Sequence, residues 1–228
     1  MRGGFILLNS RNFPLVFLIF FGGLFLSGCM NKQSPAEEMF NKLEEVVQIE
    51  KTFEAQQTPL IELEKKEKEI YQSIIELNMQ EYDEVVRLAD EAITITEKRK
   101  EHINKERESM NESKAAFETI PDIVDEIDEV ELKEKATNLY NLMQDRYKIH
   151  EELYNAYSDG LENDIQLYNL FKDKELELDQ LGEQINKVNA AYEKVIDLNN
   201  KFNEVTEEYN QKKLEFYEAA GIEINNKE

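Results

Sequence analysis

The side chain most able to do chemistry occurs once in this sequence, at Cys29, directly after Leu26-Ser27-Gly28. A lone cysteine cannot close an internal disulfide, so in an exported chain the thiol calls for another fate, such as acylation. Elsewhere reactive groups are sparse. The two histidines, His102 and His150, show neither the His-x-x-x-His nor the Glu-x-x-His spacing of a helical metal site. His150 falls between Tyr147 and Tyr154 on an apolar line and reads as a packed core histidine. No glycine-rich phosphate loop is present, and 49 acidic residues form chance pairs everywhere, so pairing nominates no general acid or base. The sequence therefore assigns no catalytic residue, no metal ligand and no cofactor. Aromatic residues are the remaining candidates. Tyr140, Tyr147 and Tyr154 recur every seventh position. Rings so spaced could stack on the sugars of a wall glycan, although on an amphipathic helix they more commonly fill the core or its rim.

The element that would position Cys29 is the segment before it. Residues 1–28 hold no acidic residue; Arg2 and Arg11 precede an apolar run of 14 residues from Phe13 to Leu26, and small residues follow. A spanning helix needs about 20 apolar residues, so the order reads as a secretory signal cut between Gly28 and Cys29. Leucine, two small residues and cysteine form the lipobox pattern of bacterial lipoproteins. Two acyl chains hold a protein firmly to a bilayer where one does not, so a diacylglyceryl group on Cys29 would make a lasting anchor. Removal of Arg2 and Arg11 with the signal takes the net charge from −22 to −24. A surface so acidic disfavours phosphate backbones and anionic headgroups, which excludes nucleic acid as an expected partner and leaves basic partners or divalent cations open.

Beyond Cys29, strand signals are missing and apolar residues recur at helical spacing. After a tether over 29–33, Ser34-Pro35-Ala36-Glu37 offers an N-cap, a proline at the first helical position and a capping-box glutamate. The periodicity predicts helices over about 35–78, 81–118, 131–172 and 175–220, followed by a tail over 222–228. The apolar phase runs through Pro59, which favours one first helix kinked there over a new helix capped by Thr58. Pro121 ends the second helix, and the acidic stretch 122–131 reads as a solvated connection of partial helical character. Gly160 lies inside the third helix, and Gly221 suits the end of the fourth. Helices of similar length, each about 60 Å at 1.5 Å per residue, most simply form an all-α, elongated antiparallel up-and-down bundle over 34–221 with coiled-coil-like packing. A three-helix version with the chain before Pro59 splayed away is the alternative.

With its lipobox Leu26-Ser27-Gly28-Cys29, its long acidic heptad helices and stretches such as Leu181-Gly182-Glu183-Gln184-Ile185-Asn186-Lys187-Val188-Asn189, the sequence resembles the YkyA-like cell-wall-binding lipoproteins of Gram-positive bacteria. The resemblance implies a helical bundle on the extracellular face of the membrane that associates with the wall, and it carries over Cys29 alone as a functional position. Anionic wall polymers should repel a body of this charge, so contact with peptidoglycan or its associated polymers is expected to be specific or cation-assisted. The reading is of a non-enzymatic spacer or interaction module that touches wall or a surface protein. A ligand-carrying or chaperone-like binding protein is the alternative, and it would need a continuous apolar cleft.

Overall fold

The computed structural model describes residues 33–223, all of it helical or connecting. The signal, Gly28, Cys29 and the end of the tail fall outside the described residues. The described residues form six α-helices: α1 (Pro35–Ile49), α2 (Lys51–Glu76), α3 (Tyr82–Phe117), α4 (Ile120–Asp125), α5 (Val130–Phe171) and α6 (Leu178–Ala219). The architecture is an all-α bundle. Among the described residues no helix is long and apolar enough to cross a membrane.

Local chemistry sets the ends of these helices. Ser34 and Glu37 form the capping box at α1, with the Glu37 amide donating to Ser34 Oγ (3.3 Å) and the Ser34 amide to Glu37 Oε2 (2.8 Å). Asn78 and Glu81 repeat the device before α3, where Met79–Glu81 form a short 3-10 turn. Pro121, without an N–H to offer, stands in the first turn of α4. At the end of α6, Gly221 adopts φ +68°, and the amides of Gly221 and Ile222 donate to the carbonyls of Glu218 and Tyr217. That is a Schellman cap. The stretch 122–131 is less solvated than its acidity suggests, because Ile123, Val124 and Ile127 are buried while the carboxylates between them face out.

The interruption in the first long helical stretch falls at Glu50 and not at Pro59. Helix α2 continues through Thr58-Pro59, whereas at Glu50 a side chain from α3 has entered the backbone ladder. Ser109 Oγ donates to the Ile49 carbonyl (2.9 Å) and accepts from the Phe53 amide (3.2 Å). These are the two groups that would otherwise bond each other across one helical turn. An inserted hydroxyl of this kind is a recognised cause of helix breaks, and here it keeps both backbone groups satisfied.

The chain forms two compact units. Unit 1 comprises Ala55–Arg107 and Glu151–Asn200. Here the partners of α2 and α3 run in opposite senses, with Lys66 facing Glu91 and Gln57 facing Glu106. The same holds for α3 and α5, through Asp90–Lys172 and Arg107–Glu151, and for α5 and α6, through Asn163–Gln184 and Tyr157–Tyr192. Helices α2 and α5 run parallel. The unit is thus an up-and-down four-helix arrangement around Leu60, Ile74, Ala92, Ile103, Leu167 and Val188. Unit 2 comprises residues 33–54, Glu108–His150 and residues 201–223. Its core includes Met39, Leu43, Phe117, Met143, Phe202 and Phe216. Each such side chain contributes about 1.5–3 kcal/mol through burial.

Replacing Ser109 by Ala removes a buried hydroxyl bonded to two backbone groups. The expected loss is about 1–3 kcal/mol, read as a lower urea midpoint. Unchanged or increased stability would show that the helix reseals without cost and that Ser109 does not hold the break.

Candidate functional site

Of the three heptad tyrosines, Tyr147 is buried in unit 2, where its hydroxyl shares a hydrogen bond with Ser113 (2.7 Å) and its ring meets Phe117 edge-on. It offers no face to a sugar and takes the core place that heptad aromatics commonly hold, not one in a glycan platform. Tyr140, half-buried in the same unit, stacks flat on Phe117, with 2° between the ring planes. Tyr154, half-buried in unit 1, lies under the Arg107 guanidinium at 4.4 Å and donates to Asn104 Oδ1 at 2.8 Å. Each of these two rings therefore has a face already occupied. His150 is wedged between Phe53 and Phe202 in unit 2.

The densest chemistry lies in unit 1, around Arg99 of α3. Its Nη1 donates to Glu67 Oε2 on α2 (2.6 Å) and to Asp164 Oδ2 on α5 (3.3 Å). Its Nη2 donates to the hydroxyls of Tyr157 on α5 (2.8 Å) and Tyr192 on α6 (2.9 Å). One guanidinium so joins all four helices of the unit. Around it, Tyr192 donates to Asp164, Tyr157 donates to Glu64 (2.5 Å), and Tyr168 and Thr96 donate to Glu67 (3.1 and 3.2 Å). Arg99 is 3% exposed, Glu67 5% and Asp164 3%. Gly160 makes room for this arrangement, since a Cβ there would stand 3.3 Å from the Tyr192 ring.

Unit 2 repeats the device with another arginine. Arg146 of α5 donates to Glu50 Oε1 at the α1–α2 break (2.8 Å) and to Thr206 Oγ1 on α6 (2.9 Å), and Ser113 of α3 donates to the same Glu50 oxygen (2.7 Å). Nearby, Lys213 pairs with Glu44 at 3.5 Å, and Tyr217 donates to that carboxylate at 2.9 Å.

Burial and charge pull these groups from their ordinary ionisation. Burial would lower the Arg99 pKa, but the anionic partners around it prevail and hold it well above its usual value. Asp164 is pushed up to about 7 by burial and by the charge of Glu67, against the pull of Arg99. Glu106, which accepts from Gln57 at 2.6 Å, is pushed up to about 8 by burial and by Glu64. Burial likewise drives the tyrosines 157, 168 and 192 well above their usual range, so their hydroxyls remain donors. In unit 2, burial lowers Lys213 while Glu44 opposes it. Among the described residues no set of three histidine or acidic side chains is arranged to hold a metal ion. In unit 1 the cation amid the carboxylates is the protein's own guanidinium.

The sequence pattern of the YkyA family, described as "Putative cell-wall binding lipoprotein", matches residues 34–219. The chain belongs to that family. A curated YkyA relative, the uncharacterized lipoprotein YkyA of Bacillus subtilis (strain 168), is 40% identical over 201 residues, covering 88% of this chain and 90% of the relative. The fold of this chain also resembles the 1.6 Å crystal structure of a conserved protein of unknown function from Staphylococcus aureus. That match has a TM-score of 0.72 at 15% identity and covers 79% of this chain and 91% of the other. At that identity the likeness shows the fold alone. The family match begins at Ser34, the N-cap of α1, so both charged clusters lie inside it.

Arg99→Leu would leave Glu67 and Asp164 buried without their cation. A loss of about 3–5 kcal/mol is expected near pH 7. The deficit should shrink toward pH 5, below the point to which Asp164 is pushed, and urea titrations at the two pH values would measure it. A deficit equal at both would contradict the charge assignment.

Proposed function

We propose that the chain is a lipid-anchored, non-catalytic helical bundle that works on the extracellular face of the membrane and contacts the cell wall. The observation that carries this reading is an adjacency. The sole cysteine closes the lipobox Leu26-Ser27-Gly28-Cys29, and Ser34, where α1 and the family match both begin, follows within one short tether. Acyl chains on Cys29 would hold the bundle at the bilayer surface. The family's description supports wall contact.

Charge sets the terms of that contact. The part after the signal carries −24, and anionic wall polymers repel it unless cations bridge the two or a specific contact prevails. Divalent cations are the natural bridge between two anionic surfaces. A carrier role would instead require a continuous apolar cleft. A surface hollow of unit 2 lined by Asp128, Val130, Lys133, Glu134, Thr137 and Asn138 presents a single apolar side chain and does not supply one.

Residues 30–228 incubated with isolated walls should co-sediment when calcium or magnesium is present and stay in solution when it is chelated. In cells, Cys29→Ala should lose labelling by a fatty-acid probe and leave the membrane fraction. Absence of co-sedimentation in both conditions would remove wall contact by the bundle, and persistence of the label on Cys29→Ala would remove the anchor.

A further inference from the structure

The two buried clusters differ in charge balance. In unit 2, Arg146 faces Glu50 and Lys213 faces Glu44, two cations for two carboxylates. In unit 1, Glu67 and Asp164 share a single nitrogen of Arg99, two buried carboxylates for one cation. The other groups that face Asp164 and its partners do not correct the deficit. Helix α2 adds the carboxylate of Glu64, 3.6 Å from Arg99. Helix α3 adds the Thr96 hydroxyl, α5 adds Tyr157 and Tyr168, and α6 adds Tyr192, all neutral donors. Further along α3, Glu106 is also buried, bonded to the uncharged amide of Gln57. An uncompensated charge at such depth is far costlier than a bound proton. The overall acidity of the chain strengthens the demand, since a negative field favours protonated carboxyls.

We propose that unit 1 is a proton-linked element of the fold: in the native state the Asp164–Glu67 pair retains a proton, and unit 1 loosens when alkaline surroundings remove it, while unit 2 does not respond. The direction follows from linkage. An aspartate in an unfolded chain gives up its proton near pH 4, whereas the folded pair holds its proton up to about pH 7, the position of Asp164. The stabilisation is therefore complete below about pH 4 and is lost as the pH rises through 7. A fold tuned in this way is tightest in acid surroundings, opposite to one held by depressed carboxylates.

Hydrogen exchange of the full chain, followed by mass spectrometry and corrected for intrinsic exchange, tests this at pH 5 and pH 8. Peptides of unit 1 should lose at least tenfold in protection between the two, and peptides of unit 2 should hold theirs. Asp164→Asn keeps the shape of the neutral side chain and should flatten the unit 1 response. It also separates the contribution of Asp164 from that of His102, which bonds Gln56 elsewhere in the unit. Should the asparagine disturb folding, Glu67→Gln serves the same end. Equal protection of unit 1 at both pH values, a loss as large in unit 2, or an undiminished response in the folded variant would each overturn the proposal.

Discussion

A single buried guanidinium lies at the centre of the charged cluster in each unit and ties helices of that unit together, and this constraint organises the rest. Arg99 reaches α2, α5 and α6 from α3, and Arg146 reaches the α1–α2 break and α6 from α5, with Ser113 of α3 bonded to the same Glu50 oxygen. Burying an ion costs several kcal/mol, and the attraction that offsets it depends on near-ideal geometry. An apolar core would tolerate a shift of one helix along another by a turn, because leucine and isoleucine accept many neighbours. A fork of donors bonded on three sides does not. The clusters thus act chiefly on register, as polar residues at core positions do in coiled coils, while stability comes from the apolar side chains around them.

Several local features follow from housing these charges. Gly160 costs helix stability but admits the Tyr192 ring, whose hydroxyl serves both Arg99 and Asp164. The break at Glu50 coincides with the residue whose carboxylate pairs with Arg146, and Ser109 and Ser113, one helical turn apart on α3, bond the broken backbone and the carboxylate in turn. The tyrosines supply donors where lysines would have added charge. Their rings remain part of the core, as in the edge-on packing of Tyr157 against Tyr192.

Much of this was legible in the sequence. Helix ends announced by Ser34-Pro35, Pro121 and Gly221 depend on neighbours in the chain, and heptad lines such as Val188, Val195 and Phe202 mark buried faces directly. The clusters had a signal too: Glu67 falls on the line of Leu60 and Ile74, Asp164 on that of Tyr157 and Phe171, and Arg146 on that of Leu139, Leu153 and Leu167. A charge at a core position of an otherwise apolar line is a buried ion in need of a partner, a stronger signal than the tyrosine line beside it. The position of the break had no local signal. Pro59 is the residue that should disturb a helix, but the break is made at Glu50 by Ser109, a residue distant in sequence and brought there by packing. The burial of Tyr147 beside half-buried Tyr140 reflects the position of Phe117, which periodicity on one helix does not reveal.

The guanidinium of Arg99 and its carboxylates act as one coupled tie between helices. A double-mutant cycle on Arg99 and Glu67, each replaced by methionine singly and together, tests it most directly through denaturation free energies at pH 7. A coupling of about 2 kcal/mol or more is expected, with the double variant more stable than the sum of the single losses allows. Additive losses, with coupling near zero, would show that the two side chains are buried side by side without holding the helices together.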